Sequence, residues 1–450
     1  MKKLSIALLC IALLTACENK IDTEEQLSRP SSPSAQSFQR HSTEALEIAR
    51  QLFNKTFDTR TTTSSTGIQV IGVPTTSHLT RGTAVTSSLP DTLMYICNNG
   101  ENNGFALISG DKRTPELLAY VPQGSYHQQD DINNSGFAVF ISRLPGFIEE
   151  EIDKYNNKQN DSKSPDGNFY DGDSRVGGSG LLQTEYDWNT VYTIPACLTT
   201  NWGQGHPYNK YAPQTPIGYR ALTGCVATAV GQLMVYHKHP KIVNGVSIDW
   251  NLLQTKNPTQ NAQCADQVAL LLRYLGDQLH NKWGEESTSA YTDESCKVLT
   301  NLGYAVFSPL VPFQSDAVMH SVSNHCPVIM RGQDERVQIN GEWDYQGGHA
   351  WIIDGVIKQK GTITAYFSRN RVEVTHRERF LFHCNWGWYG KYNGYFESEV
   401  FDAIDPIIAD NAPKQTGPTG GNRYGREHKL HFRFNVQCIP TSVPNAKPIH

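Results

Sequence analysis

The stretch NNKQNDSKSPDGNFYDGDSRVGGSG, residues 156–180, divides this chain in two. It is rich in Asn, Asp, Ser and Gly and nearly free of aliphatic side chains, so it offers no face to bury. The 450 residues therefore have to fold as one part before it and another after it. An exposed connection of this composition is also where a protease would cut the chain.

Before the connection, residues 43–155 read as a small α+β domain of their own. Ser42 or Thr43 supplies an N-cap, and Ala45, Leu46, Ile48, Ala49, Leu52 and Phe53 recur on one helical face. MYICN and GFALISG flank the turn-prone NNGENN and predict a hairpin, and LLAYV predicts a further strand. Phe137 to Tyr155 has helical spacing, with Pro145 expected to start or kink the helix. After the connection, residues 181–450 open with helices, of which Cys225 to His237 and Cys264 to His280 are the clearest. They close with strands in PVIMRG, HAWIIDGV, TITAYF and RFLFHCNW. Helices followed by strands predict an α+β fold with segregated halves, and a cleft between such halves is a natural place for a site.

The chain begins with a leader. Lys2 and Lys3 precede an apolar run, Leu4 to Leu14, that is too short to span a bilayer. Leu14-Thr15-Ala16-Cys17 resembles a bacterial lipobox, which makes residues 1–17 a lipoprotein signal peptide and Cys17 the lipidated residue. Residues 18–42, with RPSSPSAQS in the middle, read as a polar tether. The protein is thus expected to be exported and lipid-anchored on the periplasmic or cell-surface face of a bacterial membrane. The eight cysteines other than Cys10 and Cys17 are scattered without CxxC spacing, which argues against a disulfide framework or a structural metal. A net charge of −5 without a basic cluster gives no nucleic-acid footprint.

Three stretches carry chemistry. In TGCVATAVGQLMVYHKHP, Cys225 stands at the first turn of a helix. Free N–H groups and the helix dipole there would lower a thiol pKa, and Gly224 would clear the approach of a substrate carbonyl. On this stretch alone, a small buried core cysteine explains the pattern equally well. In YQGGHAWIIDGV, His349 opens a strand and could serve a thiol as base, or be an ordinary hydrogen-bonded histidine. In FLFHCNWGWYGKYNGYF, Asn385 could accept from one imidazole nitrogen and turn the other to the thiol, with Trp386 shielding that bond. A tryptophan-rich turn packed for stability is the bland alternative. TTNWGQGHPYN adds Gln204, whose amide could join the backbone N–H of Cys225 in an oxyanion hole. Four elements in workable order, each with its own role, favour catalysis.

These residues resemble the streptopain family of papain-like cysteine peptidases, peptidase family C10. NWGQGHPYN, TGCVATAVGQLMVYHKHP, GGHAWIIDGV and FHCNWGWYGKYNGYF stand in the family's order, and the resemblance runs from about Leu181 to Pro440. Cys225 precedes His349 by 124 residues (349 − 225), near the roughly 130–150 of papain-like enzymes. GFALISGDKRTPELLAYVPQGSY looks like the family's pro-segment. The resemblance implies a two-lobed papain-like peptidase preceded by an inhibitory pro-domain that is lost when the linker is cut. Cys225 would be the nucleophile, His349 the base and acid, Gln204 the oxyanion donor, Asn385 the residue orienting His349, and Trp386 its shelter. No cofactor is implied. The partners are protein or peptide substrates, preferably with a hydrophobic residue two positions before the cut, and the chain's own pro-domain. KQTGPTGGNRYG, Lys414 to Gly425, resembles the family's glycine-rich loop, and Tyr389 stands where the family often has glycine. Alternatives are a catalytically silent adhesin on a peptidase fold, separable by thiol labelling, and an amidase or amide transferase, separable by a peptide-library digest.

Overall fold

The computed structural model describes residues 38–54, 67–75, 90–128, 130, 134–161, 181–306, 311–332, 335–339, 342–346, 348–367, 372–402 and 437–442. Cys17, the tether up to residue 37, residues 162–180 of the connection and the 414–425 stretch lie outside these residues. The first part runs α1 (Ser42–Asn54), β1 (Ile68–Pro74), β2 (Thr92–Asn99), β3 (Phe105–Ser109), β4 (Leu117–Val121) and α2 (Ser135–Asp161). The second starts with β5 (Leu181–Ile194), α3 (Cys225–His237), the short pair β6 (Ile242–Val243) and β7 (Val246–Ser247), and α4 (Trp250–Thr255). It continues with α5 (Ala262–Gln278), α6 (Thr292–Asn301), β8 (Ala305–Val306), β9 (Val311–Pro312) and α7 (Ser315–Ser323). The strands follow: β10 (Val328–Gly332), the ribbon β11 (Glu335–Ile339) and β12 (Glu342–Gln346), β13 (His349–Phe367), β14 (Val372–Asn385), β15 (Gly394–Glu397) and β16 (Gln437–Ser442).

The helical half is organised by α3. Residues 226–235 are all buried, so the helix is apolar on every side and stands at the centre of its half rather than at the surface. The α5 helix starts where the Asn261 side chain accepts the Cys264 N–H at 2.8 Å. It turns Val268, Leu271, Leu272 and Leu275 inward against α3. Ala350 and Ile352 of β13 close this core from the sheet side.

The sheet departs from the sequence expectation in two places. HAWIIDGV and TITAYF are one strand, because β13 is paired on both sides: with β14 from Ile352 to Tyr366 and with β5 from Val356 to Phe367. Two ladders carry the polar KQKG segment through as strand. Pro145 lies inside α2 rather than starting it, and the helix takes residues 156–161 from the connection. Phe140, Leu144, Phe147 and Ile148 are essentially fully buried around Pro145, and their burial outweighs the lost helical hydrogen bond.

The first part docks on the second through its sheet. Its β4 pairs antiparallel with β15 of the second part, Tyr395 opposite Tyr120 and Phe396 opposite Ala119. All described strands but β6, β7, β11 and β12 thereby join into one 12-stranded sheet in which β1-β2-β3-β4 continues into β15-β14-β13. One core then contains Phe105, Phe137, Phe140 and Phe147 from the first part with Trp351, Trp386, Tyr392 and Phe396 from the second. The four-stranded sheet alone would leave β4 as an open edge, and docking on β15 covers it.

Candidate active site

Cys225 is the first residue of α3 and is partly buried. Gly224 before it has φ +84°, a left-handed conformation that suits glycine, and a Cβ there would lie 3.2 Å from Thr288 Cγ2. Backbone geometry and Thr288, rather than the approach of a substrate, explain this glycine. The backbone N–H groups of Ala350, Val226 and Cys225 itself point at the sulfur and favour thiolate. Burial is the larger effect and pushes the thiol up, the reverse of the direction expected from the helix terminus alone.

His349, the first residue of β13, lies opposite Gly332 of β10 and is only 2% exposed. Its Nε2 is 2.6 Å from the carbonyl oxygen of Trp386. A carbonyl can only accept, so Nε2 carries the proton and Nδ1 is the basic nitrogen. Burial pushes His349 down to about 4, against a smaller upward pull from the Trp386 carbonyl.

Asn385 is close by but is not the partner of the ring in this state. Its Nδ2 donates to the Thr200 carbonyl at 2.8 Å, and its Oδ1 accepts from Gly387 N–H at 3.2 Å and from Gln232 Nε2 at 3.3 Å. The imidazole bond expected from the Asn385 amide is made instead by the backbone of the next residue. Trp386 itself is fully buried, with Nε1 donating to the Tyr392 carbonyl at 2.9 Å.

The first part of the chain packs directly on the His349 and Trp386 rings. A Cβ built at Gly136, near the start of α2, would fall 2.4 Å from Trp386 Cε3 and 2.6 Å from His349 Cδ2. Only a glycine lets this helix end reach both rings. Asn134 anchors it there, accepting Phe137 N–H at 3.1 Å and donating to the Lys391 carbonyl at 2.9 Å. A helix N-terminus beside an imidazole also disfavours its protonation, through the same dipole that attracts anions.

Gln204 is buried, and its carbonyl accepts Thr223 N–H at 3.0 Å, which holds it against the turn leading into Cys225. Cys225, Gln204, His349, Asn385 and Trp386 thus gather where the head of α3 meets the beginning of β13 and the end of β14. Sequence reasoning missed two members, Gly136 and Gln232. Gln232 is completely buried in α3, accepts Trp202 N–H at 3.2 Å and bonds Asn385, so it ties three segments together. Its signal was available: an amide four residues after Thr228 in an otherwise apolar helix needs a buried polar partner.

Residues 202–396 match the model of the peptidase C10 family, and residues 35–145 match that of the Spi protease inhibitor. Streptopain of Streptococcus pyogenes serotype M1 is 26% identical over 348 residues, covering 70% of this chain and 75% of that protein. The thiol protease/hemagglutinin PrtT of Porphyromonas gingivalis is 23% identical over 342 residues, covering 68% of this chain and 34% of that protein. A solved prointerpain A fragment of Prevotella intermedia superposes with a TM-score of 0.47 at 19% identity, covering 85% of this chain and 100% of the fragment. The peptidase match holds the helix head and strand ends just described, and the inhibitor match holds β1 to β4 and the Gly136 that meets His349 and Trp386; residues 202–396 are a cysteine peptidase of the C10 family, preceded in the same chain by a protease-inhibitor part.

Proposed function

We propose that this protein is an exported, lipid-anchored cysteine endopeptidase, silent until its N-terminal part leaves. Cys225 is the nucleophile, His349 the base and acid, and Gln204 with the Cys225 N–H the oxyanion hole. The observation that carries this reading is the packing of α3 against β13, the helix that Cys225 opens against the strand that His349 opens. In the mature enzyme His349 leaves the Trp386 carbonyl, and Asn385 and Trp386 receive its ring. His349 takes the Cys225 proton, and the thiolate attacks the peptide carbonyl to give an oxyanion facing Gln204. The C–N bond then breaks, and the imidazolium gives its proton to the departing amine. Water, deprotonated by His349, hydrolyses the thioester and restores the thiol.

Self-inhibition follows from what Gly136 and the start of α2 do to the base. They fill the space over His349 and Trp386, and burial holds the ring neutral with its Nε2–H on the Trp386 carbonyl. Alkylation by iodoacetamide at mildly acidic pH tests both points. Cys225 should react slowly in the uncleaved chain and at least ~10-fold faster after cleavage in the 162–180 segment. Equal rates would remove the inhibitory reading, and undiminished peptide cleavage by Cys225→Ser would remove the catalytic one. For the anchor, an alkynyl fatty acid supplied to the producing cells should label the protein and fail to label Cys17→Ala.

A further inference from the structure

Tyr389 stands at a position poorly suited to its side chain. Its φ of +58° is a left-handed conformation that disfavours any residue with a Cβ. It belongs to the turn after Trp386, in which Gly387 and Gly390 also have positive φ. What the side chain touches explains its presence. The phenol oxygen accepts Gly205 N–H at 2.8 Å. A Cβ at Gly203 would lie 2.4 Å from Tyr389 Cε1 and Cζ, and one at Gly205 would lie 2.7 Å from the phenol oxygen. Both glycines flanking Gln204 therefore lack side chains where the tyrosine ring lies on them. The backbone N–H of Tyr389 also donates to the Trp202 carbonyl at 2.9 Å, and Tyr208 packs edge-on at 5.6 Å.

We infer that Tyr389 is a positioning residue for the oxyanion hole, clamping the Gly203-Gln204-Gly205 backbone so that the Gln204 amide is held for the developing oxyanion. Thr223 N–H fixes the loop from the cysteine side through the Gln204 carbonyl, and Tyr389 fixes it from the opposite side. Every partner of Tyr389 named here lies in the peptidase part, so the clamp survives removal of the inhibitor. The ring also borders a cavity of about 560 Å³ lined by Gln123, His127 and Asp130 of the inhibitor, and that side opens on activation. An oxyanion donor contributes only when held in place before charge develops, so loosening its backbone lowers kcat more than substrate binding. The inference rests on the assignment of Gln204 as oxyanion donor.

The test is a double-mutant cycle on enzyme matured from the full-length chain, with active sites counted by a thiol-directed inhibitor. Tyr389→Phe keeps the ring and removes only the acceptor of Gly205 N–H, so the fold is retained. It should lower kcat about 3- to 10-fold, the loss of one neutral hydrogen bond, with KM within about twofold. Gln204→Ala alone should lower kcat ~100-fold. In the Gln204→Ala background, Tyr389→Phe should change kcat less than ~2-fold, because the group it positions is gone. An undiminished effect in that background, an unchanged kcat in Tyr389→Phe, or a loss carried by KM overturns the role of Tyr389. An unchanged kcat in Gln204→Ala overturns the oxyanion assignment itself, and the clamp with it.

Discussion

The helical half and the sheet half of the peptidase differ in who shares their cores. The core around α3 and α5, on which Cys225 rides, contains only residues between Leu198 and Ile352, all from the peptidase part. The core under His349 and Trp386 is shared with Phe105, Phe137 and Phe140 of the inhibitor. Cys225 and His349, the proposed nucleophile and base, therefore sit on ground of different ownership. The inhibitor contributes one helix end against His349 and Trp386, while the core that carries Cys225 takes no buried residue from it among the described residues. Inhibition applied this way reverses without refolding the nucleophile's half. What has to break is the two-residue pairing of β4 with β15 and the aromatic packing behind it, where Phe137 stacks on Tyr392 at 4.3 Å.

The largest expected effect separates the halves most directly. Cys225→Ala should lower turnover by ~10⁴-fold or more. The uncleaved chain should keep its unfolding free energy to within about 1 kcal/mol, because the thiol is not part of the shared core. If that substitution loosened the inhibitor, the two halves would not be independent. Phe137→Ala comes next and acts only on the shared side. Truncating a fully buried phenylalanine costs about 3–5 kcal/mol. The uncleaved variant should gain activity by two orders of magnitude or more, while enzyme matured from it stays normal; the rate of peptide hydrolysis before and after cleavage checks both. Gly136→Ala should act in the same direction but less. Its methyl group forces the helix end off His349 and Trp386 at about 1–3 kcal/mol, a ~10- to 100-fold loss of inhibition.

The same division decides what could be read from the sequence. The extent of α3, Cys225 to His237, follows from a glycine before it and a run that only Thr228 and Gln232 keep from being wholly apolar up to Val235, both local features. His349 at the head of β13 and Asn385 at the tail of β14 are likewise local, since each ends a β-rich run. Which partner the imidazole takes was not legible, because Gly136 sets it from far away in the chain, and a glycine near a helix start carries no mark of its target. The joining of β4 to β15 rests on two residue pairs with no periodicity to announce them. Of the two roles local propensity offered Pro145, starting α2 is excluded, because packing against residues distant in sequence carries the helix through it.

The smallest effect concerns pH and tests whether the inhibitor grips the base itself. With its neutral form favoured by burial, His349 is held at about 4 against an ordinary 6.5. The docked state binds fewer protons at this group than the released one wherever pH lies between those values. Docking is therefore unaffected by His349 above about 6.5, weakens as pH falls from there towards 4, and levels off below. The ceiling is tenfold per pH unit, and since part of the burial is the peptidase's own, less than ~10-fold is expected between pH 6.5 and 5. Glu397, in β15 beside Arg379 and near Glu151 of the inhibitor, has the opposite sign. Burial pushes it up to about 8, so any share of that burial due to docking weakens docking as pH rises towards 8. Dissociation of the Cys225→Ser chain, nicked in the 162–180 segment and followed by sedimentation across pH 4.5 to 8.5, separates the two. Glu397→Gln should flatten the alkaline limb and leave the acid limb. His349→Ala should flatten the acid limb alone, and an acid limb that survives this change would mean that the inhibitor does not hold the base.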